Sequence, residues 1–542
     1  MRRQWQQGKR HSYSAGQKFA ATILSASILL GGIGAAQQRG GTLTVGLGYD
    51  IDTLNVYSTG FLGDVQAAVV EGLLAPDNKA RYVPVLALRV PTVANGGIKI
   101  APDNKSMVVS YKLRPGVKWS DGQPFTSADV KFTWEAIKDP KFIAESKDGS
   151  DDVASIDTPD PLTVIVNYKR VAPDFASTLF TFGIFPKHTL EGKDLNTDSY
   201  NVMPLGTGPF KVTEFKRGQY VILDRNPYYW RKDKAGVQLP YLDKMIFKII
   251  PDSNTMVTQL RSGEVQLAYG VPYSQVSNLG GQPGLSVVKN PVLSWQHLDF
   301  NLKGPAPLQD LNVRKAFAYA LNKSAISKAL GGYPVPIDTV VVPVFSYSNK
   351  LVPKYPYDPS KAKALLDAAG YLPGADGIRA KNGQKLSFRI MVQAGRSTDE
   401  DAEQVIIASM KAIGVELKTD NKAGVAFREA RYKGGYDLFY SGWITSADPT
   451  YSVFFGSKGP NNGQGYSNPK VDALLNTAES TLDALSRGSA LREFQTVLLS
   501  DLPTIPVASN PSMIAVTDKL GGFVPNPTNM TNFVNTSGWY LK

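Results

Sequence analysis

The chain predicts an α/β fold of several lobes, and three observations carry that expectation. Its 542 residues are 42% apolar with no run of disorder-prone or collagen-like composition, enough for about two to four hydrophobic cores. The second half alternates capped helices with strand-like runs, the pattern of a largely parallel sheet covered by helices. The first half carries more alternating strands and fewer helices. No fixed-period repeat interrupts either half.

The stretch from Pro102 to Glu135 illustrates the first half. Val109, Tyr111 and Leu113 alternate with Val108, Ser110 and Lys112, the period of a half-buried strand. Pro115-Gly116 and Ser120-Asp121-Gly122 are turn punctuation. Thr126 or Ser127 then caps a helix whose first turn carries Asp129, with Val130, Thr133, Trp134 and Ile137 on one face. In the second half, Asp358-Pro359 supplies an N-cap and a first-turn proline. Ala362, Leu365, Leu366 and Ala369 form that helix's buried face, and Gly370 stops it. Thr398 is the expected cap of another helix, with Asp399, Glu400 and Asp401 set against its dipole. Val405, Ile406, Met410 and Ile413 face inward there, and Gly414 ends it. The runs Leu386 to Val392 and Val415 to Lys418 follow these two helices as strands.

The start of the chain sets the compartment. Arg2, Arg3, Lys9, Arg10 and Lys18 precede an apolar stretch of small residues from Phe19 to Ala36, and Gly34 and Ala36 suit a signal-peptidase site. A retained membrane anchor is the alternative, at roughly the minimum spanning length and broken by Ser25, Ser27, Gly31, Gly32 and Gly34. Cleavage near Ala36 would lower the formal charge from +12 to +7. With no cysteine there is neither a disulfide nor a lipid-modified N-terminal cysteine, so a periplasmic or secreted protein is expected. Lys and Arg are scattered among Asp and Glu without a basic, aromatic-studded stripe, which argues against nucleic acid as a partner.

Enzyme chemistry finds little support. His188 and His297 are the histidines that follow the leader, and the lack of cysteine removes the usual soft metal sites and Cys–His pairs. No G-x-S-x-G elbow, Walker A loop or dinucleotide fingerprint occurs; Gly206-Thr-Gly208 runs into Pro-Phe-Lys and opens no helix. Neither a metal nor a cofactor is expected. Paired carboxylates of a secreted hydrolase stay open, because their spacing is set in space.

The block 102–135 resembles the signature of the family 5 extracellular solute-binding proteins, which carry peptides and other solutes to ABC importers. Further blocks are similar to the family's in the same order. They include Gly41-Thr-Leu-Thr-Val-Gly46, Glu71-Gly-Leu-Leu74, Gly206-Thr-Gly-Pro-Phe-Lys211, Asn226-Pro-Tyr-Tyr-Trp230 and Arg261-Ser-Gly-Glu-Val265. Asn312-Val-Arg-Lys-Ala-Phe-Ala-Tyr-Ala-Leu321, Asp437-Leu-Phe-Tyr-Ser-Gly-Trp443 and Tyr466-Ser-Asn-Pro469 complete them. The resemblance implies a periplasmic binding protein type II-like fold: two main lobes, an inserted third domain and a ligand cleft between lobes. On that pattern lobe I combines 37–60, 200–270 and 500–542, lobe II is the insertion 61–199, and lobe III spans 271–499. Two chain crossings between lobes I and III would form the hinge. The implied protein is a monomeric receptor that captures a peptide or similar-sized polar solute and hands it to an inner-membrane ABC permease. A receptor for a sugar, opine or metal chelate, or an adhesin or chaperone on the same fold, are the other readings.

The resemblance also supplies ligand-binding candidates. Ser441, Gly442, Trp443 and Thr445 end a strand that could pair an extended ligand while the indole stacks on it. Thr59 and Gly60 match the facing segment on lobe I. Peptide carriers that grip a free N-terminus place an Asp shortly after the Gly-Trp pair; here Ser446 falls at that position, and Asp448 stands two residues on beside Pro449. A buried ammonium without a carboxylate costs several kcal/mol, so this departure bears on the substrate. Arg396 and Arg431 are candidates for a ligand carboxylate. Trp295, with His297 and Asp299, forms a stripe that either faces ligand or packs.

Overall fold

A computed structural model describes residues 39–59, 64–145, 147, 149–528 and 533–542. The expected leader, 1–36, lies outside them. Among the described residues no helix is long and apolar enough to cross a membrane.

Three sheets organise the chain. The first has seven strands in the order Leu285–Asn290, Ser512–Thr517, Leu267–Tyr269, Thr42–Leu47, Lys244–Ile249, Tyr220–Arg225 and Phe210–Lys216. Its central strand Thr42–Leu47 runs parallel to both neighbours and buries Leu43, Val45 and Leu47 completely. Each such side chain contributes about 1.5–3 kcal/mol by leaving water. Gly46 lies under the helix Ser253–Ser262: a Cβ there would stand 2.3 Å from Met256 Sδ.

The second sheet has six strands in the order Val335–Pro336, Thr504–Ser509, Ser294–Phe300, Leu438–Ile444, Ser387–Met391 and Glu416–Thr419. The expected largely parallel sheet is only half right. Ser387–Met391 pairs in parallel with Leu438–Ile444 and Glu416–Thr419, linked through the helices Ser397–Lys411 and Gly424–Lys433. Ser294–Phe300 is antiparallel to both of its neighbours. The reason is topological: that strand and Thr504–Ser509 are where the chain enters and leaves the sheet, so no crossover helix joins them to their neighbours. The helix Pro359–Ala368 is capped by Asp358, whose side chain accepts from Lys361 N. The next long helix begins earlier than read, at Ser397. Thr398 therefore sits inside its first turn, and Glu400 reaches back to accept from Gly395 N at 2.9 Å.

The third sheet, Ile98–Ile100, Met107–Lys112, Thr163–Tyr168 and Val153–Asp160, is antiparallel and carries the signature block. Val109, Tyr111 and Leu113 are buried and Lys112 is exposed, as the alternation requires. The helix Ser127–Lys138 is capped by Thr126, whose N–H donates to Asp129 at 2.8 Å. Burial holds the Asp129 carboxyl above its ordinary range against those donors.

Sheet membership moves the expected lobe limits. Leu285–Asn290 belongs to the first sheet and Thr504–Ser509 to the second, so the crossings between them fall at 291–293 and 510–511, not near 270 and 500. Val65, Ala68, Val69 and Val70 pack in the first sheet's core, so the insertion starts near Glu71 instead of 61. Gly206 enforces that seam: a Cβ there would stand 1.9 Å from the Val69 carbonyl oxygen. Glu71 closes it as a fully buried carboxylate, accepting from Thr207 Oγ1 at 3.0 Å and Trp230 Nε1 at 2.9 Å.

Candidate functional site

A cavity of about 480 Å³ opens where the inserted region meets the end of the strand Leu438–Ile444. The strand delivers Thr445, Ser446 and Asp448 to one wall. Thr445 is fixed there by its N–H and Oγ1, both donating to the Leu293 carbonyl at 2.8 and 3.1 Å. Asp448 meets Arg487 in a two-pronged ion pair, one contact being 3.0 Å from Nη1 to Oδ2. The opposite wall comes from the inserted region and includes Asp152, Asp174, Ser177 and Thr178. Arg170 holds Asp152 at 2.8 Å and Asp174 at 3.0 Å, and its Nη1 donates to the Glu479 carbonyl at 3.3 Å. Ser177 Oγ also lies 3.4 Å from the Asp448 carbonyl oxygen. The two walls therefore touch at both ends of this charged seam.

Electrostatics follow from burial. Desolvation raises the Glu479 carboxyl above its ordinary range, against hydrogen bonds from Ser452. Desolvation opposes the Arg487 charge, but Asp448 overcomes it and raises the guanidinium, whereas burial outweighs Arg487 at Asp448 and raises its carboxyl. Among the described residues no His, Lys or Cys lines the cavity, and no group of three His, Cys, Asp or Glu could hold a metal.

The sequence candidates separate into groups. Thr445, Ser446 and Asp448 line the cavity. Trp443 lies one layer behind: its ring packs on Phe454, centroids 4.5 Å apart, and it is Phe454 that faces the cavity. The Arg431 guanidinium sits 3.6 Å over the same indole, while the His297 ring lies parallel to it at 6.0 Å. Gly442 packs closely on Gln296, whose amide a Cβ would displace, and its carbonyl accepts from Arg431 Nη2 at 3.1 Å. Ser441 is buried opposite His297. Trp295 is 1% exposed among Phe455 and His297, in the core and not in the cavity wall. Arg396 occupies the N-cap position of the helix Ser397–Lys411 without a side-chain capping bond and pairs with Asp399 at 3.5 Å. Thr59 donates to Asp52 at 2.8 Å beside Val65 and Gln66, apart from the cavity lining. Gly60 lies outside the described residues.

The residues missed were those of the inserted region, Tyr82, Asp152, Asp174, Ser177 and Thr178. Their only local signal was Pro173-Asp174 at the start of a 3-10 turn, which reads as an ordinary loop.

Comparison with known proteins places this geometry. The model of the family described as bacterial extracellular solute-binding proteins, family 5 Middle, matches residues 81–465. A glutathione-binding protein, GsiB of Salmonella typhimurium, is 29% identical over 501 residues, covering 89% of this chain and 91% of that one. The solved oligopeptide-binding protein AppA of Bacillus subtilis, in complex with a nonapeptide, superposes with a TM-score of 0.75 at 27% identity, covering 94% of this chain and 100% of that one. NikZ of Campylobacter jejuni, solved with Ni(L-His), gives a TM-score of 0.77 at 27% identity over 92% of this chain and 99% of that one.

Proposed function

Because this chain belongs to the family 5 bacterial extracellular solute-binding proteins, we propose that it captures a short peptide or similar-sized polar solute and delivers it to an ABC importer. The observation that carries this reading is the cavity of about 480 Å³ between the inserted region and the second sheet's edge. That volume falls within the roughly 300–1,000 Å³ of clefts that bury a small solute. The two crossings at 291–293 and 510–511 supply a hinge, about which the second sheet's lobe swings against the other two. Solute contacts made to both walls in the closed state, and lost in the open one, shift the population toward closure.

On this reading lobe I comprises 39–70, 205–290 and 511–542, lobe II 71–204, and lobe III 291–510. The protein acts as an exported monomer and performs no covalent chemistry. Peptides are favoured as cargo by the relatives, whose names specify glutathione and a nonapeptide. Native mass spectrometry of protein purified without added ligand tests the reading. Retained peptides are the expected result; a single retained sugar or metal chelate would redirect the cargo. Consumption of a candidate solute on incubation would overturn the reading altogether.

A further inference from the structure

The cavity wall is unusual in what its polar groups still have to offer. Ser177 and Thr178 each donate a hydroxyl hydrogen to the Asp174 carbonyl, at 2.9 and 3.4 Å. Thr181 donates to the Ala176 carbonyl at 2.5 Å, Thr445 to the Leu293 carbonyl at 3.1 Å, and Thr528 to Asn526 Oδ1 at 2.6 Å. A hydroxyl carries one hydrogen, so with theirs already donated Ser177, Thr178, Thr181 and Thr445 can offer a solute lone pairs only. Carboxylates add acceptors of their own. Asp152, Asp174 and Asp448 line the space, whereas the two guanidiniums that serve them, Arg170 and Arg487, lie behind the wall. Three carboxylates against two guanidiniums leave one negative charge unmatched. No Lys, Arg or His lines the cavity among the described residues.

We propose that this acceptor wall receives the cationic, hydrogen-rich end of the solute, with Asp152 and Asp174 of the inserted region as its charged anchors. The inference rests on the solute-receptor reading above and specifies which chemical group enters where. An ammonium or guanidinium brings donors alone to this wall and meets its excess charge. A solute carboxylate would meet the hydroxyls of Tyr82, Ser446 and Thr450 at most, with no cationic side chain in the lining to balance its charge. Ser446 stands on the rim, exposed, where a carboxylate would add to the same field. Recognition of the cation is thereby carried by the wall facing Ser446, from a part of the chain that lies about 270 residues earlier.

The test uses pooled random tri- to pentapeptides, one pool with free N-termini and lacking Lys and Arg, the other identical but N-acetylated. Each pool is incubated with the full mature protein, and retained species are read by native mass spectrometry, followed by titration with the retained sequences. The free-amine peptides should bind at least about tenfold more tightly than their acetylated counterparts, or about 1.4 kcal/mol. Ser446→Asp should tighten them several-fold and Ser446→Lys weaken them at least about tenfold, each leaving the melting temperature unchanged because the residue is exposed. Asp152→Asn should weaken the free-amine pool alone. Equal retention of the acetylated pool, or an unchanged affinity for Ser446→Lys, overturns the proposal while leaving peptide capture standing. Retention of neither pool overturns peptide capture itself, and this inference with it.

Discussion

Two stretches of the inserted region, 102–138 and 149–182, face opposite ways. The first is dense in identifying pattern, yet its recognisable residues are core and turn. Trp119 and Val109 are buried, and Thr126 and Asp129 close a cap. The second carries almost no pattern, yet it supplies Asp152, Asp174, Ser177 and Thr178 to the cavity. Residues that define a fold are held by many neighbours at once and leave a rigid spacing in the sequence. Residues that meet a guest need only reach the same space, and their spacing is free.

That contrast breaks most readily at Trp119. Trp119→Ala removes a 1% exposed side chain and should cost about 3–5 kcal/mol in denaturant unfolding. The folded fraction should bind with unchanged affinity; a loss of affinity without a loss of stability would put the signature block in the site. Asp448→Asn comes next. It leaves the partly buried Arg487 without its counter-charge and should cost about 3–5 kcal/mol, a penalty shared between folding and closure. Asp448→Asn with wild-type melting would show that this pair is not structural.

Trp443→Ala sharpens the comparison from the other wall. The indole supports Phe454 and lies against the Arg431 guanidinium, a desolvated cation–π contact of about 2 kcal/mol. Both stability and affinity should fall, whereas a plate that touched only ligand would lose affinity alone. The smallest effect is in pH. Burial raises Glu71, Asp129 and Glu479, so the folded state holds their protons more tightly than the unfolded chain. Stability should therefore rise as pH falls from neutrality through the folded values, and these groups add nothing further below the usual carboxylate value of about 4. Glu479→Gln should flatten part of that slope in thermal melts; an unchanged slope would remove Glu479 from it.

Legibility in the sequence tracked locality. The strand Met107–Lys112, the cap at Thr126 and the helix Pro359–Ala368 were readable because period, cap and stop lie within a dozen residues of each other. The mixed direction of the second sheet was not, because Thr504–Ser509 inserts beside Ser294–Phe300 from about 200 residues away. The membership of Leu285–Asn290 and Ser512–Thr517 in the first sheet was hidden for the same reason. At the cavity, Thr445, Ser446 and Asp448 could be named from sequence because a motif ends beside them. That Phe454 stands between the Trp443 indole and the cavity is not legible, because a Gly-Trp pair does not say which face of the strand is covered. Asp152 and Asp174 had no motif neighbour, and Arg170 joins them only after folding.

Hydrogen exchange, measured on the protein alone and saturated with a retained solute, tests the two-walled cavity most directly. Slowed exchange should appear together at 174–182 and at 445–450, with the strand Met107–Lys112 unchanged. Protection confined to one wall, or absent from both under saturation, would contradict capture between them.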